Sequence, residues 1–145
     1  MENRASQSVI MEMVSYFGIQ EDEPESHREK YPAQLHQKGN HWFISFQEEQ
    51  GPSLLKISEN EITVIRRGQV TMRQPFRTGV LTSGTYINPT GKMFMETHTH
   101  EIICEKDTQG EFLGVMWRYD LRLNGQEVGQ NRVTCYIRRI EGLEE

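Results

Sequence analysis

From Phe112 to Leu123 the residues Leu113, Val115, Trp117, Tyr119, Leu121 and Leu123 alternate with Gly114, Met116, Arg118, Asp120 and Arg122. A period of two turns one set of side chains toward a core and the other toward water, the pattern of a long, half-buried strand. The run stops at Asn124-Gly125, a dipeptide suited to positive φ at both turn positions. It resumes from Val128 to Arg139 with Val133, Cys135 and Ile137 on one face, so the C-terminal third predicts a β-hairpin.

The same grammar recurs upstream, in runs at about Val9–Ile19, His27–Gln37, His41–Gln47, Ser53–Ile57, Ile62–Arg67, Gln69–Arg73, Thr78–Ile87, Lys92–Thr99 and Glu101–Lys106. Turn signals separate most of them: Lys38-Gly39-Asn40, Gly51-Pro52, Glu59-Asn60-Glu61, Arg67-Gly68, Asn88-Pro89-Thr90-Gly91 and Asp107-Thr108-Gln109-Gly110. No long segment carries the helical period. Nine to eleven short strands without intervening helices imply antiparallel neighbours in an all-β fold. A sheet of that many strands curls shut or splits, and closure protects the long terminal strands from exposed edges. The expectation is a single closed antiparallel β-barrel over residues 9–141, with residues 1–8 as a flexible arm and 142–145 as a tail. The acidic stretch Gln20–Lys30 reads as an exposed connection between the first two strands.

Charge supplies the best functional clue. The 34 residues between Glu61 and Glu96 contain no carboxylate but carry Arg66, Arg67, Arg73, Arg77 and Lys92, a window of +5 in a chain of net charge −5. Local potential follows nearby charge more than net charge, so this window has an affinity for anions that the whole chain lacks. Three readings follow. In the first, the arginines decorate an outer face and pair with surface carboxylates. One or two of Arg66, Arg73 and Arg77 could point into or over the barrel mouth and clamp a carboxylate or phosphate with the bidentate fork of a guanidinium. Or the cations, with Phe76 and Tyr86 interleaved, could form a strip for single-stranded nucleic acid. The acidity of the remaining chain repels a long polyanion more than a small one, which disfavours nucleic acid.

Through Arg66-Arg67-Gly68, Gln74, Phe76 and Gly79, and on through Tyr86 and Gly91 to Thr97 and Thr99, the chain resembles the YwiB-like family of bacterial proteins of unknown function. The resemblance extends over most of the chain, from the first strand to the Asn131–Ile137 strand, and leaves out the first eight residues and the acidic connection. It implies a calycin-like β-barrel, related in shape to lipocalins and fatty-acid-binding proteins, and no established activity. Calycins often hold a small apolar or anionic molecule in the barrel mouth, which gives function only by analogy.

Reactive chemistry is poorly specified. His98-x-His100 with Glu105 matches the first half of a cupin metal motif, because i and i+2 on a strand share a face. No histidine follows His100 to complete it, and Lys92 stands where that motif has glycine, so no metal is assigned. Cys104 and Cys135 lack a zinc-type spacing, a neighbouring histidine or a helix start that would activate a thiol. Trp117 and Tyr119, on the inward face of the longest strand, fit either a core or a ligand's head group. The longest apolar candidate near the start, Val9–Ile19, is broken by Glu12 and Ser15, and Met1–Ser8 lacks the apolar core of a secretory signal; no membrane association and cytoplasmic residence are expected.

The resulting expectation is a non-enzymatic barrel without cofactor that binds a small anionic or amphipathic molecule through Arg66, Arg73, Gln74, Arg77, Tyr86, Trp117 and Tyr119. The alternative is a solid-core barrel that contacts protein or RNA through the basic 66–92 surface. The inward face of the Arg66–Arg73 hairpin stays open, because a one-residue change of register flips every side chain.

Overall fold

The computed structural model describes residues 6–19 and 22–140 as ten antiparallel strands. They are β1 (Gln7–Phe17), β2 (Glu25–Lys38), β3 (His41–Glu48), β4 (Gly51–Ile57), β5 (Glu61–Arg66), β6 (Thr71–Arg77), β7 (Leu81–Asn88), β8 (Gly91–Lys106), β9 (Phe112–Leu123) and β10 (Gln126–Arg139). Each strand pairs with the next, and β1 pairs with β10 to close the barrel. The expected hairpin is β9–β10, and its turn residues Asn124 and Gly125 have φ of 50° and 82°.

Alternation delivers one residue in two to the interior, where Val9, Met11, Ile44, Leu55, Ile57, Ile62, Phe76 and Trp117 are each at most 2% exposed. Burying an aliphatic or aromatic side chain of this size contributes roughly 1.5–3 kcal/mol. Ten strands enclose more space than the eight that ordinary side chains just fill, and rings occupy the difference. Phe76 sits between Trp117 and Tyr119, with centroid distances of 5.6 and 4.6 Å. At the end of the barrel where β2 turns into β3, Trp42 stacks on Phe112 at 5.0 Å. There Arg139 donates to the Phe112 carbonyl at 2.6 Å.

Several boundaries differ from the sequence expectation. The runs at 92–99 and 101–106 are one strand, β8, interrupted by a bulge between Thr99 and Glu101 that shifts the inward phase from Thr97 and Thr99 to Ile102 and Cys104. The strand expected to end at Arg73 continues through Pro75 to Arg77, and the turn falls at 78–80. Proline is tolerated because β6 pairs with β7 only from Thr71 to Arg73, apart from an isolated bridge between Arg77 and Val80. In place of further rungs the Pro75 carbonyl accepts hydrogen bonds from Thr82 Oγ1 at 2.6 Å and Thr97 Oγ1 at 3.1 Å. Gln7 and Ser8 belong to β1, opposite Leu35 and Gln34, so the expected arm is shorter. The acidic connection is likewise mostly strand, since Glu25–Lys30 pairs with β1. It did not read as one because exposure of both its faces removes the alternation. Residues 1–5, 20–21 and 141–145, which include the expected tail and the last residue of the expected barrel range, lie outside the described residues.

Candidate functional site

The end opposite the Trp42–Phe112 stack is ringed by the turns leading from β1, β3, β5, β7 and β9. Two of these lock together. Gln69 N donates to Gln50 O at 3.1 Å and Arg67 N to Pro52 O at 3.1 Å. Gly51 and Gly68 meet at this contact with φ of +140° and +112°; a Cβ on either would lie 2.2 or 2.3 Å from the facing carbonyl oxygen. Glycine at both positions is what lets the β3–β4 and β5–β6 turns touch, and that contact fixes the end of β5, where Arg66 sits.

Pairing of Arg66 with Ser53 and Met72 turns its side chain inward, on the face of Ile62 and Val64. It lines a mouth cavity of about 360 Å³ with Met13, Ser15, Phe17, His27, Glu29, Tyr31, Glu48, Glu49 and Gln50. Arg66 Nε lies 3.4 Å from Glu48 Oε1, in a geometry that leaves this buried N–H without a hydrogen bond. The same carboxylate oxygen accepts a hydrogen bond from Ser53 Oγ at 3.1 Å. Arg66 Nη1 meets only a weak acceptor, Met72 Sδ, at 4.0 Å. Tyr31 stacks obliquely on Phe46 at 4.9 Å, and burial, then Glu48 and Glu29, push its phenol above the ordinary value while Arg66 opposes them. Tyr119, deeper in the barrel, is also pushed up by burial, against a hydrogen bond with Asn131 and the charge of Arg66. Three carboxylates and one guanidinium face the cavity, so its local charge is opposite to that of the window from which Arg66 comes.

The structure thus divides the residues singled out from sequence. Arg66, Gln74, Tyr86, Trp117 and Tyr119 are on the inward face, and of these only Arg66 lines the cavity. Gln74 is buried opposite Val64, and Tyr86 is partly buried against the core. Trp117 Nε1 is buried without a hydrogen-bond partner. Arg73 and Arg77 point out from the wall, Arg73 exposed and Arg77 3.3 Å from Glu61. Lys92, also outside, lies 5.0 Å over the Phe94 ring. Sequence reasoning missed Tyr31, Glu29 and Glu48. The signal was present in β2, where His27, Glu29 and Tyr31 share a face with Ala33 and Leu35, but the acidic composition masked it.

His98 and His100 also face outward, but their third companion is Asp120 rather than Glu105. His100 Nε2 is 2.9 Å from Asp120 Oδ2, and the two imidazole rings meet edge to face at 4.9 Å. Burial alone would raise the Asp120 carboxyl, but hydrogen bonds with Gln130 and His100 outweigh it and hold the group below its usual range. Glu105 is five residues further along β8, roughly 16 Å at strand rise. Both cysteines are free; burial pushes Cys104 up to about 11 and Cys135 up to about 12, so neither is a ready nucleophile.

Residues 13–135 match the model of a domain of unknown function, DUF1934. The chain belongs to this family. It is 28% identical over 101 residues to the uncharacterized beta-barrel protein YwiB of Bacillus subtilis (strain 168), covering 67% of this chain and 70% of the relative. The crystal structure of that ywiB protein superposes with a TM-score of 0.70 at 20% identity, over 92% of this chain and 94% of the other. The fold of this chain is therefore shared with a solved protein. No helix among the described residues is long and apolar enough to cross a membrane.

Proposed function

We propose that this DUF1934 protein is a non-enzymatic binder of a small amphipathic molecule at its barrel mouth, a calycin-like use of the fold, in the cytoplasm. One observation carries the reading: Arg66 is held inward at the cavity and, among the described residues, its Nε–H is unbonded and its Nη1 is spent only on a thioether. A guanidinium offers five donors, and a ligand carboxylate or phosphate oxygen would satisfy those the protein leaves over. Glu29, Glu48 and Glu49 repel a ligand that is anionic throughout, so the geometry favours one that also carries an amine or other donor for the rim. Met13, Phe17 and Tyr31 supply the apolar wall. A volume of 360 Å³ equals the space of about a dozen waters, at the small end of ligand sites. Two free cysteines suit a reducing compartment.

Native mass spectrometry of untagged protein, purified gently and compared with its denatured mass, tests this. The expected result is a reproducible small-molecule mass that is lost on denaturation and absent from Arg66→Gln. A clean apo mass, together with no thermal shift from a panel of zwitterionic amphiphiles, would overturn it. That result would favour the second reading, which the ring-filled interior supports: a solid barrel working through its outer wall.

A further inference from the structure

The outer wall carries a second cluster, away from the mouth cavity. On β8 the bulge after Thr99 leaves His100 without a partner on β9, while His98 is opposite Asp120 and Glu101 opposite Arg118. The extra residue adds one outward side chain to the row, which is how two histidines and one aspartate come to one patch. One ligand atom from each of His98, His100 and Asp120 can be chosen so that all lie within 4.8 Å of one another.

The geometry points to a divalent transition-metal site built from His98, His100 and Asp120. Metal–nitrogen and metal–oxygen bonds near 2.0–2.1 Å put neighbouring ligand atoms about 2.9–3.3 Å apart in octahedral or tetrahedral coordination. His100 Nε2 and Asp120 Oδ2 already stand at 2.9 Å, so an ion can replace the proton they share. Rotation of the half-buried His98 closes the remaining gap. Two imidazoles and one carboxylate select zinc, nickel, cobalt, copper or ferrous iron over magnesium and calcium, which prefer all-oxygen ligands. The aspartate is held from behind, because Gln130 Nε2 donates to Asp120 Oδ1 at 3.1 Å and leaves Oδ2 for the ion. At 27% and 38% side-chain exposure for His100 and Asp120, the site is open to solvent, with coordination positions left for water or an exogenous ligand.

Cobalt(II) titration of the untagged full chain, followed by visible absorption, is the test. One saturable cobalt per chain is expected, with zinc displacing it. Gln130→Ala should weaken binding about tenfold, as loss of an outer hydrogen bond to a ligand does, and the double variant His98→Ala/His100→Ala should lose saturable binding. Zinc added to the unmodified protein should also shift the imidazole NMR signals of His98 and His100 and leave those of His27, His36 and His41 in place. That readout does not depend on any variant folding. Absence of one-to-one binding, signal changes at the other histidines only, or undiminished affinity in the double variant would each overturn the site.

Discussion

Glu48 shows how one side chain can hold a functional group in place. It is 15% exposed, faces Arg66 at 3.4 Å and accepts from the buried Ser53. Glu48→Gln keeps an acceptor for Ser53 but removes the charge opposite the guanidinium, for an expected loss of about 1 kcal/mol. Glu48→Ala removes both and should cost about 2 kcal/mol. Urea unfolding midpoints of the two variants check the order; equal losses would mean that Ser53 does not depend on this carboxylate. Sequence could place Arg66 in an acid-free window but could not aim it. Ile62 and Val64 point one way along β5 and Ile65 the other, so apolar residues occur on both faces and the alternation loses its meaning there.

Among the elements, the paired turns at the mouth make the sharpest demand on residue type. Gly68→Ala forces a Cβ against Gln50 O at a φ that an L side chain rarely adopts, and should destabilise by at least about 2 kcal/mol. Gly110→Ala also takes a positive φ, but a Cβ there meets nothing within 4 Å, and about 1 kcal/mol is expected. Thermal unfolding of both variants makes the comparison; similar losses would show that the turn contact relaxes freely. The Arg67-Gly68 and Gly51-Pro52 signals were legible as turns, yet nothing local told that they would touch. The two turns are brought side by side by pairing of β4 with β5, a tertiary outcome. For β8 the reverse holds. The bulge was written in the sequence, where the inward series Met95, Thr97, Thr99 gives way to Ile102 and Cys104. A strand break and a one-residue phase shift look alike until the partner strand is known.

For the molecule as a whole, barrel class followed from period and turn chemistry, because each of these acts over a few residues. Closure joins the two ends of the chain, with Val9 opposite Arg139. Contacts so distant in sequence carry a large loop-closure entropy and tend to form after local hairpins. Val9→Ala, at a fully buried site, should therefore cost roughly 2 kcal/mol that shows mainly as faster unfolding. Val133→Ala, inside the β9–β10 hairpin, should slow folding instead. Stopped-flow chevrons separate the two, and a folding rate lowered more by Val9→Ala would place closure in the nucleus. The barrel wall itself is uneven. Around most of the circumference neighbouring strands are joined by rows of amides, but at Pro75 the join is two threonine hydroxyls, Thr82 on β7 and Thr97 one strand further on β8. Such hooks release and re-engage by rotation about a single side-chain bond, without tearing a sheet. The cylinder consequently has a preferred direction of compliance, and a squeeze or stretch of its rim is absorbed along β6 and β7 rather than shared evenly around the ring.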